Sequence, residues 1–186
     1  MLSSRCERNY TYLGQGSLSP QTINKLADAV QPATQTSQHF ELVSGSVHDG
    51  DTFRVSDGDR QIKVRLCGID APELEQDSGV ASRDHLRTLI AKGSGHVTLV
   101  TVETDQYGRT IADVFVPTGN GEEEIHLNSR MVRDGMAYVY PQYVSGCPNA
   151  TIIQNAEETA RKNAAGVWKK SVSQKPWDYR RQHQGS

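Results

Sequence analysis

The sequence predicts an α+β domain, a small closed barrel of five short strands with a few helices packed outside it. Three observations predict it. Segments rich in Val, Ile, Phe and Thr recur at 40–47, 51–55, 61–69, 96–103 and 109–117. Helical periodicity interrupts them at 79–92, 127–135 and 150–164. No segment reaches the roughly 20 apolar residues a membrane-spanning helix needs. Five short strands with helices between them suit an OB-like barrel, a fold that commonly binds oligonucleotides on one face. Fold alone supplies no function.

Taken in order, residues 1–38 read as an extension. Ser19-Pro20 and the following QTINKLADAV predict one short helix, with Ser as N-cap and Pro in the first turn. QPATQTSQ is then a polar linker, and the helix is expected to dock on the domain. The domain proper is read as 39–181. The helix at 79–92 places Leu86, Leu89 and Ile90 on one face. LNSRMVRDG is a short helix with Gly135 as its left-handed cap. AYVY is a short extended piece. Residues 150–164 form the last expected helix, with Ile153, Ala156, Ala160 and Ala164 on one stripe and Gly166 closing it. WKKSVSQKPWDYRRQ reads as a basic, aromatic, solvated tail, and 182–186 as a polar end.

Of the 186 residues, 35% are hydrophobic and 23% charged, which suits a small core with polar tails. The formal net charge of -2 argues against a broad basic surface for nonspecific nucleic-acid binding but leaves room for a local basic groove. The three cysteines, Cys6, Cys67 and Cys147, are odd in number and lack metal spacing, so neither a disulfide framework nor a zinc site is expected. Cys67 reads as a small core residue. The first residues show no apolar signal segment. A cytoplasmic place is therefore the expectation, and a secreted one the alternative if the chain is a processed form. A monomer is the default.

Asp-Gly-Asp occurs twice, at 49–51 and 57–59. The second copy lies between TFRV and QIKVRL and reads as a hairpin turn. The first precedes a strand, and alone it also reads as a turn. If 56 faces 61 across the hairpin, 52 faces 65. Simple parity then puts Asp51 and Arg65 on opposite faces unless a bulge or barrel curl turns one of them. Arg65 could equally pair with Asp57 or Glu41. Neither copy is an EF-hand, because position 5 from Asp49 is Phe53 and position 6 from Asp57 is Ile62. Pro72 drives Ala71 out of helical geometry, so IDAPE runs from a strand into a loop.

DGDT, VRLCGIDAPE, DQYGRTIADV and RDGMAYVY, in this order, resemble the staphylococcal-nuclease-like (thermonuclease) family, and GVW and PWDYR resemble its C-terminal end. The resemblance covers about residues 40 to 181. It implies an OB-type barrel with three helices and a calcium-dependent phosphodiesterase acting on DNA and RNA, leaving 3′-phosphate ends. On the matching positions, Asp51 and Asp70 would be Ca2+ ligands, and Ala71 would give its backbone carbonyl. Glu73 would be the general base. Arg65 and Arg109 would bind phosphate. Tyr107 would lie beside the scissile region, and Tyr138 and Tyr140 would line the nucleotide pocket.

The chemistry asks for these residue types. Carboxylates hold a hard cation, a carboxylate can take a proton from water, and the planar guanidinium fork matches phosphate oxygens. Aromatic rings stack bases without choosing sequence. Two departures remove positive charge. Gln106 stands where the family commonly has lysine, and the segment from Glu73 to Arg109 is short and lacks a lysine-rich loop. Both predict weaker binding of terminal phosphates and of long polyanions at high salt. The competing reading is a non-catalytic OB-type module that binds nucleic acid or protein. A further possibility is that residues 1–38 cover the groove. Lys169, Lys170, Lys175, Arg180 and Arg181 are assigned to the solvated tail.

Overall fold

The structure, a computed structural model, describes residues 37–119, 123–170 and 173–183. The helix expected within 1–38, the linker as far as residue 36, and Cys6 lie outside the described residues, while Ser37 and Gln38, read as linker, open the first strand. In chain order the elements are β1 (Ser37–Leu42), β2 (Thr52–Ser56), β3 (Gln61–Leu66), β4 (Ile69–Asp70), α1 (Gly79–Ala91), β5 (His96–Thr104) and β6 (Thr110–Pro117). They continue with β7 (Glu124–His126), α2 (Leu127–Arg133), β8 (Tyr138–Val139), α3 (Ala150–Lys162) and α4 (Pro176–His183).

The barrel closes as the sequence predicts. Strands run in the order β3-β2-β1-β5-β6-β7, and β3 also pairs with β6. That last pairing is parallel, with Val64 opposite Thr110 and Arg65 opposite Ile111. β1, β2, β3, β5 and β6 therefore form the ring, and β7 hangs on the outside of β6. Phe53, Val55, Val64, Leu66, Leu99 and Val114 are fully buried, as strand alternation requires. Leu86, Leu89 and Ile90 of α1, Leu127 and Met131 of α2, and Ile153 of α3 close over the same core. Each such side chain contributes roughly 1.5–3 kcal/mol by leaving water.

The second Asp-Gly-Asp is the hairpin turn. Gly58 has φ 98°, and Asp57 Oδ1 accepts the Arg60 N–H at 3.0 Å. The β2–β3 register is the expected one, with Thr52 opposite Arg65 and Ser56 opposite Gln61.

Four readings change. The first strand runs Ser37–Leu42 rather than 40–47, because Gly45, at φ 73°, turns the chain before Ser46. α3 ends at Lys162, so Ala164 is exposed and left-handed at φ 47° rather than on the apolar stripe. Gly166 instead packs on the end of α2. A Cβ there would lie 1.9 Å from the Gly135 carbonyl oxygen, which accepts the Val167 N–H at 2.9 Å. The expected tail contains a fourth helix, α4, opening on Pro176 at its first position.

The fourth change is a disulfide. Cys67 is buried as expected, but it is bonded to Cys147 across 80 residues, with Cα atoms 5.9 Å apart. It ties the end of β3 to the short 3₁₀ turn Val144–Gly146 that precedes α3. A polar knot lies alongside. Asn128 of α2 donates to the Cys67 carbonyl at 2.9 Å and the Ala112 carbonyl at 3.1 Å, and accepts the Val114 N–H at 3.0 Å. Buried Asp113 accepts the Asn149 side chain at 2.8 Å and its N–H at 3.1 Å. These bonds satisfy groups that would otherwise be costly to bury.

Candidate active site

Asp51 is placed by an unusually tight turn. Asp49 Oδ1 accepts the N–H groups of Asp51 at 3.0 Å and Thr52 at 2.7 Å. Gly50 lies under α1, where a Cβ would stand 1.8 Å from Ser82 Oγ and 2.8 Å from the Ala71 methyl. Only glycine fits there, so the first Asp-Gly-Asp is a turn whose last member is carried inward. Asp51 is buried. Its Oδ2 accepts the Ala71 N–H at 2.8 Å, its Oδ1 accepts the Thr52 hydroxyl at 2.9 Å, and the same Oδ1 meets Arg65.

The parity objection to the Asp51–Arg65 pair dissolves locally. The β2 ladder begins at Thr52, so Asp51 lies in the turn and escapes strand alternation. Arg65 then spans both aspartates, reaching Asp51 through Nη1 and Asp70 Oδ1 through Nη2 at 2.7 Å. It pairs with neither Asp57, which binds Arg60, nor Glu41. Asp70 is fixed by β4, whose partner is β8, with Asp70 opposite Tyr138. Burial and the neighbouring Asp51 carboxylate push the Asp70 carboxyl up, against the pull of Arg180 and Arg65. The same two effects push Asp49 up to about 7. Asp49 is the site acid that sequence reading missed. Its backbone-capping role is common in turns and gave no signal of its own.

Glu73 follows Pro72 into the loop, where its N–H donates to Gln76 Oε1 at 3.0 Å. Its carboxylate meets Arg180 of α4 at 2.6 Å, and Arg180 also binds both oxygens of Asp70, at 3.2 and 2.7 Å. This corrects the assignment of Arg180 to a solvated tail. A lone arginine 107 residues from Glu73, in a basic run, has no spacing that betrays it.

Arg109 stands on the β5–β6 turn, just before the stretch of β6 that lies parallel to β3. Its Nε and Nη2 both rest on Asp105 Oδ2 at 2.7 Å. It lines one cleft with Arg65, Tyr107, Tyr140 and Tyr143. Tyr107 is 74% exposed at the mouth of that cleft. Tyr140 is half-buried, with one face stacked on Trp177. Tyr138, by contrast, is only 1% exposed. Its hydroxyl is 2.7 Å from Ser173 Oγ, Lys175 lies 3.6 Å from its ring centre, and Trp168 meets it edge-on. Tyr140 and Tyr107 offer ring surface to a ligand in this arrangement, and Tyr138 does not.

The donor set suits a hard cation in kind, being all carboxylate and carbonyl oxygen. Three carboxylates, Asp51, Asp70 and Glu73, face two guanidiniums, which leaves one negative charge unmatched. Among the described residues these carboxylates do not bring three ligand atoms within 4.8 Å of one another; the group that does is Cys67, Asp113 and Cys147, two sulfurs and a carboxylate, and the sulfurs are already bonded to each other.

Residues 63–170 match the sequence profile of the staphylococcal nuclease homologue family. A protein called an uncharacterized endonuclease from Escherichia coli is 37% identical over 134 residues, 72% of this chain and 80% of that protein. A micrococcal nuclease from Shigella flexneri is 37% identical over 136 residues, 72% of this chain and 76% of its own. An uncharacterized endonuclease from Haemophilus influenzae is 35% identical over 137 residues, covering 73% and 70%. The profile match stops before α4.

Proposed function

The chain belongs to the staphylococcal nuclease homologue family, and from that premise we propose that it is a calcium-dependent, sugar-nonspecific nuclease hydrolysing phosphodiester bonds of DNA and RNA, with 3′-phosphate products. The observation that carries this reading is the pair of buried carboxylates, Asp51 and Asp70, bridged by Arg65 with Glu73 adjoining. Relatives named endonuclease and micrococcal nuclease support it.

Asp51, Asp70 and the Ala71 carbonyl would hold calcium. When bound, the ion supplies positive charge against the phosphate and makes a bound water more acidic. The remaining work falls to side chains. Arg65 and Arg109 line one cleft and would bind the phosphate oxygens that gather charge as water attacks. Glu73 would take the water's proton. Tyr107 and Tyr140 would hold the flanking nucleotide by stacking. Removing one such arginine donor costs about 100- to 1000-fold in rate.

The Cys67–Cys147 bridge bears on the compartment. Disulfides persist in oxidising surroundings, which supports the secreted alternative over the cytoplasmic one. No helix among the described residues is long and apolar enough to cross a membrane.

The decisive experiment is cleavage of single-stranded DNA with calcium and with chelator, for the wild type and Glu73→Ala. Calcium-dependent cleavage, reduced at least 100-fold in the variant, is expected. Inactivity of the wild type with retained oligonucleotide binding would replace the nuclease by a binding module.

A further inference from the structure

The C-terminal helix α4 sits on two parts of the site at once. Through Arg180 it occupies both oxygens of Asp70, a carboxylate the cation would need, and one of Glu73, the expected base. Through Trp177 it covers one face of Tyr140, with the rings 4° from parallel and centres 5.2 Å apart. The segment leading to α4 is sewn to the loop after Glu73. Gln76 donates to the Gln174 carbonyl at 3.1 Å, and Lys170 pairs with Asp77.

The attachment is of a reversible kind. Pro176 is the one fully buried residue of α4. Its other contacts are ion pairs and ring stacking, which hold through charge and aromatic area rather than through a sealed apolar core. Arg180 itself is 32% exposed along its side chain. Its pair with Glu73, 31% exposed, is open to water on both sides and stabilises modestly, while Asp70 is fully buried and the two-pronged bond to it is the firmer hold.

We infer that α4 is a latch on the active site, with Arg180 as a resident counter-ion that the incoming cation must displace. The inference rests on the calcium reading of the preceding section. A guanidinium and a divalent cation cannot both use the same oxygens of Asp70 without strong repulsion. Metal entry therefore moves Arg180 away and strains the Trp177–Tyr140 stack. By linkage, whatever loosens α4 tightens the cation site, and whatever fills the cation site loosens α4. Release also uncovers Tyr140, so that metal binding and exposure of a base-stacking surface become one event.

The test is direct titration of full-length, chelator-treated protein with Ca2+ by calorimetry, without nucleic acid. Four variants are compared with the wild type: Arg180→Ala, Arg180→Gln, Trp177→Ala and, as the site control, Asp70→Asn. Circular dichroism melts confirm that each is folded, and the glutamine variant keeps a hydrogen-bond donor should alanine at 180 unfold the chain. Both Arg180 variants are expected to bind Ca2+ about tenfold more tightly or better, and Trp177→Ala about threefold more tightly although it alters no charge. Unchanged or weaker binding in the Arg180 variants overturns the inference. Tighter binding confined to the Arg180 variants overturns the latch, since it reduces the effect to local charge. Absence of Ca2+ binding in the wild type and in every variant overturns the calcium reading itself and the inference with it.

Discussion

Asp49 shows how one carboxylate carries two jobs. Its Oδ1 caps the turn that delivers Asp51, and its charge sits in a buried acidic neighbourhood that pushes its carboxyl up to about 7 from 3.8. The sign follows. Between those two values the folded chain keeps a proton that the unfolded chain has released, so stability falls as pH rises through the window. Asp49→Asn keeps the capping oxygen and removes the charge. Metal-free variant and wild type are expected to melt together at pH 4, and the variant several degrees higher at pH 8. Equal melting temperatures at both pH values would show that Asp49 carries no such strain. At this scale the sequence was informative where motifs were dense. Asp51, Arg65, Asp70 and Glu73 sit in two short runs, and the sequence grouped them before the structure brought them together. Asp49 was hidden by the commonness of turn aspartates, and Arg180 by its distance along the chain.

The site also depends on elements that carry none of its chemistry. β4 holds Asp70 only because β8 pairs with it, and β8 is anchored by α3, where Glu157 Oε1 accepts the Val139 N–H at 2.9 Å. Glu157→Ala leaves that buried N–H without its acceptor, at a cost of about 1–3 kcal/mol. Glu157→Gln keeps an oxygen in place and is expected to lose less than half as much. Denaturant midpoints of the three proteins measure the difference, and equal losses would mean that the ion pair with Arg161, rather than the backbone bond, is what matters. Strand alternation and the Leu86–Leu89–Ile90 spacing made β2, β3, β5, β6 and α1 legible. The ends were less so. Gly45 and Ala164 set element limits through positive φ, which composition does not reveal. α4 escaped because it buries little beyond Pro176, so it has no apolar stripe to read.

For the molecule as a whole, the barrel and the helical layer are joined by one covalent tie that sequence arithmetic did not find. Three cysteines give no pairing rule, and the pair that forms is separated by 80 residues. Such a bridge removes freedom from the unfolded chain. In the chain-entropy view, a loop of this length is worth roughly 4 kcal/mol. For a domain of this size each kcal/mol moves the melting temperature by about 2–4 °C. Reduction, or the double substitution Cys67→Ser with Cys147→Ser, is therefore expected to lower the melting temperature by roughly 10 °C. The site should feel it less. Asp70 lies three residues beyond Cys67, but it is held by β8, Arg65 and Arg180 rather than by the sulfur. At a temperature well below both transitions, the doubly substituted protein should thus bind Ca2+ with an affinity within about threefold of the oxidised wild type. Calorimetric melts with and without reductant, paired with Ca2+ titration of the double variant, separate the two effects. A large loss of cation affinity with an unchanged melting temperature would reverse the assignment, making the bridge a support of the site rather than of the fold.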